Sequence, residues 1–442
     1  MPLATPASVG PSPFRVRPWR RVRAGAWHPA LAFAALAFAA PALVACATPG
    51  WRPPGTPPAP VVAGDTARDA DVESTLLLIG DGGLPGRHAQ PEPVLAAVAR
   101  IARHAPARTA VVYLGDNVYQ DGLPPAGDPD RPAAEAIVDA QLLPDVPRQV
   151  PRRFVPGNHD WNHHGGRRPA SGAQRVLAMS ELLRRRRERV LTTAAPVDAC
   201  PGPEIHDELA PRLRVVALDT EWWLQTEDGR RACARGPRDS AAVVTALAEA
   251  VRSAGARHVV VVAHHPLVSG GPHGGHCSGV GCFFRRSANA LGLRELAWSR
   301  QDVPHPGYRR MRDAIAGALA ASGTAASAAG DGAAAPHGPL LYVSGHDHDL
   351  QILRGDAWTD AAGRAPARWL AVSGAGYWGN TTPLTCLPAT RWAQRQAGFL
   401  RLDVLADGTP RLRAYTVARD GTATEWRWET GGTCGERAGS AG

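Results

Sequence analysis

Several things are scarce in this sequence, and each shortage excludes a class of protein. Its 442 residues carry no repeat at a fixed period, so solenoids and propeller arrays are excluded. The first 45 residues contain no acid, and their one charge-free apolar run, Leu31 to Ala45, is too short to favour a membrane-spanning helix. Net charge is scarce as well. The formal excess is +9, and without those 45 residues, which hold five Arg, it falls to +4. That is too little to call for a nucleic-acid partner. What remains is ordinary globular material, 44% hydrophobic and 20% charged, enough for one large core or two modest ones.

The amino terminus has its own organisation. Arg15, Arg17, Arg20, Arg21 and Arg23 precede the apolar run, the order of a secretory signal. The run ends in Leu43-Val44-Ala45-Cys46, which resembles the bacterial lipoprotein cleavage box. That resemblance implies a lipid on Cys46 and an exported chain held at the membrane in the periplasm or on the cell surface. Arg20-Arg21 is a weak match to twin-arginine export, because Arg23 interrupts the apolar residues expected after the pair. The expected organisation is a signal over 1–45, a Pro/Gly-rich tether over 46–74, one folded domain over 75–434 and a disordered tail over 435–442. Six Cys remain beyond Cys46, an even number that favours disulfides in an exported protein. Proximity in sequence suggests Cys200–Cys233, Cys277–Cys282 and Cys386–Cys434. A zinc site at Cys277, Cys282 and His276 is the rival, and it lacks a second matching pair.

From Thr75 onward, short apolar runs alternate with amphipathic ones. Strands are expected at Thr75–Ile79, Ala110–Leu114, Arg153–Val155, Leu213–Leu218, His258–Val262, Leu340–Val343, Trp369–Val372, Phe399–Val404 and Arg411–Val417. Helices are expected at Pro93–Arg103, Ala133–Leu142, Gln174–Arg189, Ser240–Ser253 and Tyr308–Ala321. The fourth has Asp239 or Ser240 as N-cap and Val243, Val244, Leu247 and Val251 on one face. Early strand–helix alternation followed by clustered strands makes the fold class α/β with more than one layer. Gly270–Cys282 and Ser322–Gly338 read as insertions, and Arg184–Arg187 as the solvated face of a helix.

Five expected strands stop in the same manner. Ile79-Gly80 leads to Asp81, and Leu114-Gly115 to Asp116, Asn117 and Tyr119. Val155-Pro156-Gly157 leads to Asn158, His159 and Asp160, Val262-Ala263 to His264, and Ser344-Gly345 to His346, Asp347 and His348. Gly, Asn and Asp are also ordinary turn residues, so any one of these ends alone could be a turn. In α/β sheets, however, ligands gather beyond the carboxyl ends of strands, so the five ends can share one crevice. The ligands to expect among them are two carboxylates, an amide, three imidazoles and a phenol, a mixture that suits Fe, Mn or Zn, and the lack of thiolate argues against copper(I) and iron–sulfur. Seven candidate ligands exceed the need of one tetrahedral zinc and match two cations about 3.5–4 Å apart, the arrangement that clamps an in-line displacement at phosphorus.

In order, Asp81-Gly82-Gly83, Gly115-Asp116-Asn117-Val118-Tyr119, Gly157-Asn158-His159-Asp160, Val261-Val262-Ala263-His264 and Gly345-His346-Asp347-His348 resemble the motifs of the calcineurin-like metallophosphoesterases. Tyr119, Leu218-Asp219-Thr220 and Ser373-Gly374-Ala375-Gly376 narrow the resemblance to purple acid phosphatases, particularly the tartrate-resistant type. It spans roughly Leu76 to Gly376. The resemblance implies a two-sheet β-sandwich flanked by helices. It also implies a first metal, Fe(III), on Asp81, Asp116, Tyr119 and His348. A second, Fe(II), Zn or Mn, would sit on Asp116, Asn158, His264 and His346. The activity implied is hydrolysis of a small phosphate monoester by metal-bound hydroxide.

His159 is outside that ligand set and is free to serve the leaving oxygen, with Asp160 as its expected support. Trp161 departs from the tartrate-resistant pattern, which often has a second His there. His163, His164, His273 and His276 are candidates for phosphate contact, and His265 either faces the pocket or packs. Trp222 and Trp223 suit the core better than a pocket rim. The alternatives are a phosphodiesterase or nucleotidase on the same scaffold and, in another class, a surface lipoprotein that holds metal without turnover.

Overall fold

The computed structural model describes residues 61–62, 69, 71–84, 92–162, 169–234, 236–237, 239–276, 287–288, 291–323, 338–427 and 433–435. The signal, Cys46, His163, His164, Cys277 and Cys282 lie outside the described residues.

Among the described residues, sixteen strands form: β1 (Val61–Val62), β2 (Val72–Ile79), β3 (Thr109–Tyr113), β4 (Arg152–Phe154), β5 (Thr192–Ala194), β6 (Glu204–His206), β7 (Leu213–Ala217), β8 (His258–Val262), β9 (Leu341–Ser344), β10 (Leu350–Arg354), β11 (Trp369–Ser373), β12 (Thr390–Gln394), β13 (Gly398–Leu405), β14 (Pro410–Val417), β15 (Ala423–Trp426) and β16 (Thr433–Gly435). They make two eight-stranded sheets, ordered β1-β15-β14-β13-β2-β3-β4-β5 and β16-β12-β10-β11-β9-β8-β7-β6. Each sheet contains four adjacent parallel strands. β2, β3, β4 and β5 run together in the first, and β7, β8, β9 and β11 in the second.

All nine expected strands form. Some unexpected ones are short or lie near a sheet edge, as at Glu204–His206 and Ala423–Trp426, where too few residues alternate to leave a period, whereas β10 is a five-residue strand inside the second sheet. Within the segment expected as a tether over 46–74, Val61–Val62 pair with β15 and β2 begins at Val72. The Cys200–Cys233 and Cys386–Cys434 disulfides form as expected.

Five longer helices also match expectation: α1 (Pro93–His104), α2 (Arg131–Gln141), α3 (Pro169–Arg186), α4 (Ser240–Arg252) and α5 (Pro306–Ser322). Their starts are chemically marked. Glu92 accepts from the Leu95 amide at 2.9 Å, Asp239 from Ala242 at 2.8 Å and His305 from Gly307 at 3.1 Å. Arg184, Arg185 and Arg187 are exposed, so that run is a solvated face. Among the described residues, no helix is long and apolar enough to cross a membrane.

Three buried clusters account for the layering. Leu76, Leu78, Val112, Val262, Val343, Leu400 and Leu402 fill the space between the sheets. Val98, Val138 and Leu182 pack α1, α2 and α3 against the outer face of the first sheet. Leu247 and Ile315 pack α4 and α5 against the second. The result is an α/β sandwich of two sheets flanked by helices, with the carboxyl ends of β2, β3, β4, β8 and β9 meeting along one rim. There the Asp81 amide donates to Gly115 O at 3.0 Å and the Gly345 amide to His264 O at 3.0 Å.

Leu78, fully buried between the sheets, tests that core. Leu78→Ala is expected to cost about 2–5 kcal/mol in urea unfolding, and a loss under about 1 kcal/mol would mean the sheets are not closely packed there.

Candidate metal centre

The rim is built by backbone turns that few residues tolerate. Asp81 (φ 61°), Asp116 (φ 54°) and His346 (φ 76°) all sit in the left-handed region at the first turn beyond their strands. Non-glycine residues held there cost free energy that neighbouring contacts must offset, and such residues concentrate at functional sites. The adjoining glycines are sterically required. A Cβ at Gly115 (φ 96°) would lie 2.4 Å from His264 Nδ1, and one at Gly157 would lie 2.3 Å from both the amide and Oδ1 of Asp116.

The turns present two groups of polar atoms. In the first, the Tyr119 hydroxyl donates to Asp81 Oδ1 at 3.0 Å and lies 3.1 Å from His348 Nε2, itself 3.4 Å from Asp81 Oδ1. In the second, His264 Nε2 lies 2.7 Å from Asn158 Oδ1 and 3.2 Å from His346 Nδ1, while His346 Nδ1 is 3.1 Å from Asn158 Oδ1. Asp116 stands between the groups. Its Oδ1 is 3.5 Å from His264 Nε2, and ligand atoms of Asp81, Asp116 and His264 lie within 4.8 Å of one another.

Proton positions in the second group follow from its outer partners. His264 Nδ1 faces Leu114 O at 2.9 Å, and His346 Nε2 faces Gln301 O at 2.8 Å. A carbonyl only accepts, so both outward nitrogens carry a proton. Burial first, and then His273, His265 and His264, hold His346 well below the ordinary imidazole range, so it stays neutral. Neutral His346, its proton on Nε2, therefore turns a lone pair on Nδ1 toward His264 Nε2 and Asn158 Oδ1 in a buried space, a donor set that suits a cation.

The first group and Asp116 fit the same purpose. Burial alone would raise the Asp116 carboxyl, but His264, His159 and the His159 amide outweigh it and hold it below the carboxylate range. Burial, then the charges of Asp116 and Asp81, push the Tyr119 phenol well above its ordinary value, so phenolate forms there only when a cation displaces the proton.

His159 enters from the same turn as Asn158. Its Nδ1 contacts Gln120 O at 2.5 Å, its ring lies 4.3 Å from the Tyr119 ring, and its Nε2 is 3.8 Å from Asp116 Oδ2. The expected support from Asp160 is not what the structure shows. Asp160 accepts from the amides of Gly157 (2.8 Å), Asn117 (3.1 Å) and Val118 (3.2 Å) and from the Asn117 side chain (2.9 Å). The tight turn aims this carboxylate backward to tie two rim loops together, and Gln120 orients the imidazole instead.

Trp161 is buried, with Nε1 donating to Asp219 at 2.8 Å, so its side chain belongs to the core; Trp222 is fully buried as expected. His265 packs as well, spending Nδ1 on Thr220 and Nε2 on Gln301, both at 2.8 Å. His273 lies beside the second group, its ring 4.1 Å from that of His346 and its Nδ1 2.8 Å from Asp302. Burial would lower His273, but Asp302 and Asp347 outweigh it and raise it. His276 is partly buried in the same Gly-rich loop. Gln301, Asp302 and Glu221 escaped the sequence analysis, since lone polar residues in loops and short helices carry no periodic or motif signal.

No protein-family model matches the sequence, and no curated protein matches it. Similar solved structures include GAP50, the anchor in the inner membrane complex of Plasmodium, at 14% identity over 78% of this chain and 85% of that one, TM-score 0.42. Purple acid phosphatase PPD1 from yellow lupin (Lupinus luteus) is similar at 13% over 78% and 51%, TM-score 0.43, so the chain spans about half of it. PhoD is similar at 11% over 80% and 71%, TM-score 0.42. Likenesses this distant carry no weight for activity, which rests on the side chains.

Two acids behind the site make stability depend on pH. Burial raises Asp219 to about 7 and Glu221 to about 8. The folded chain then keeps protons that the unfolded chain releases, so this contribution is whole below about pH 4 and is lost as pH rises through 7 to 8. Neutral His265 and His346 act in the opposite sense below about pH 6.5, which makes the range above it the informative one. Metal-free protein should lose stability between about pH 6.5 and 8.5, by roughly 1 kcal/mol per pH unit for each acid while it titrates. Asp219→Asn and Glu221→Gln should each flatten the slope in denaturant titrations. A wild-type slope of the opposite sign would mean the acids are ionised in the fold.

Proposed function

We propose that the chain is a metallophosphoesterase of the calcineurin-like type, close to the purple acid phosphatases, which hydrolyses phosphate monoesters at a two-metal site. One cation would be held by Asp81, Asp116, Tyr119 and His348, and the other by Asp116, Asn158, His264 and His346. What supports this is the convergence of His264 Nε2, His346 Nδ1 and Asn158 Oδ1 at 2.7–3.2 Å from one another, beside Asp81 and Asp116, whose ligand atoms lie with that of His264 within 4.8 Å. When bound, the metal pair neutralises charge at phosphorus and acidifies a water. Tyr119 makes the first position the ferric one, with Fe(II), Zn or Mn as its partner.

The residues around the metals then have distinct tasks. His159, whose Nδ1 is committed to Gln120 O, offers Nε2 for proton transfer to the leaving oxygen. His273, partly open and raised by Asp302, supplies positive charge toward a phosphate beside the second metal. The two disulfides support an oxidising compartment, and with Cys46 they support an exported protein held to a membrane by lipid. The partner is a small phosphoester, with no nucleic acid.

Purified protein should carry two metal equivalents and cleave p-nitrophenyl phosphate faster than bis(p-nitrophenyl) phosphate. His159→Ala should lower kcat about 10²–10⁴-fold with metal content unchanged. Faster diester cleavage would overturn the monoester assignment, and full metal without turnover would favour a non-catalytic lipoprotein. Separately, the iron-loaded protein should show a visible phenolate band that Tyr119→Phe abolishes. A colourless, fully active zinc or manganese protein would refute the ferric position.

A further inference from the structure

The segment from Trp298 to His305 contains none of the five motifs, yet it touches the second ligand group. Gln301 reaches it twice. Its main-chain carbonyl accepts from His346 Nε2 at 2.8 Å. Its side chain, 5% exposed with the rest of the residue, accepts from His265 Nε2 through Oε1 at 2.8 Å and donates to Glu221 Oε2 through Nε2 at 3.0 Å. His265 and Glu221 are themselves buried, and Glu221 is further held by Gln225.

We propose that Gln301 is a positioning residue for the second metal: its amide, locked between His265 and Glu221, holds its own carbonyl against His346 and so fixes which imidazole nitrogen faces Asn158 and His264. This rests on the assignment of Asn158, His264 and His346 as metal ligands.

The chemistry needed at position 301 is narrow. The side chain must accept on one side and donate on the other, which an amide does and a carboxylate or hydrocarbon does not. Asn offers the same groups one methylene short. If the anchor is lost, the carbonyl is free to leave His346, and its ring can place the proton on Nδ1. That proton would point at His264 Nε2 and occupy the ligand position. Outer hydrogen bonds that fix a ligand's tautomer are worth about 10–100-fold in metal affinity.

The test is zinc titration of metal-free full-length protein, with histidine ring ¹⁵N NMR of the same samples. Wild type should bind two Zn²⁺ and show His346 as a single Nε2–H tautomer before metal is added. Gln301→Leu and Gln301→Glu should each weaken one Zn²⁺ about 10–100-fold, leave the other unchanged and show mixed His346 tautomers. The exchange Gln301→Glu with Glu221→Gln restores one acceptor and one donor across that pair, and should recover both the affinity and the single tautomer. If Gln301→Leu fails to fold, the comparison of Gln301→Glu with the exchange decides alone. Wild type that takes up fewer than two Zn²⁺ would overturn the two-metal assignment and this role with it. Two tight Zn²⁺ and an unchanged His346 signal in the variants would overturn the role of Gln301 only.

Discussion

The structure depends on one costly arrangement: imidazole, amide and carboxylate groups brought together in one buried space. His264 Nε2, His346 Nδ1 and Asn158 Oδ1 stand within 3.2 Å of one another, with Asp116 and Asp81 alongside. Burying so many polar and ionisable groups together is unfavourable unless each is held by hydrogen bonds or by a cation. Much of the surrounding fold serves to keep them in place. Carbonyls of Leu114 and Gln301 take the outward imidazole protons. Left-handed turns at Asp81, Asp116 and His346 aim the side chains, and glycines at 115 and 157 leave room for them.

The same constraint explains the acids behind the rim. Asp160 is consumed by four N–H donors from the loops that carry Asp116 and Asn158. Asp347 accepts from the His273 amide, and Glu221 accepts from Gln301 and Gln225. These carboxylates act through the backbone and through other side chains, so they set where the ligands point without touching a substrate.

Much of this was legible in the sequence for a simple reason. Most candidate ligands come within a few residues of the end of a parallel strand, and a buried parallel strand leaves a continuous apolar run that ends abruptly at the rim, as Val259–Val262 does before His264. Asp81, Asp116, Asn158, His264 and His346 could all be found by that rule. The role of Asp160 was misread because adjacency in sequence says nothing about which way a turn sends a side chain. Trp161, where the chain departs from the tartrate-resistant pattern, is part of the core. Gln301 could not be found at all, since its partners lie 36, 45 and 80 residues away and its loop has no period.

The two sheets divide the donor atoms by element. Asp81, Asp116, Tyr119 and Asn158, which offer oxygen, follow strands β2, β3 and β4 of the first sheet. His264, His346 and His348, which offer nitrogen, follow β8 and β9 of the second. A cation held by both kinds of donor is thus a crosslink between the halves of the sandwich. With such a cation bound, opening of the inter-sheet core would have to give it up, so occupancy and global stability would rise together by mass action. Chelation should accordingly be felt far from the rim, in the exchange protection of strands that never approach the site.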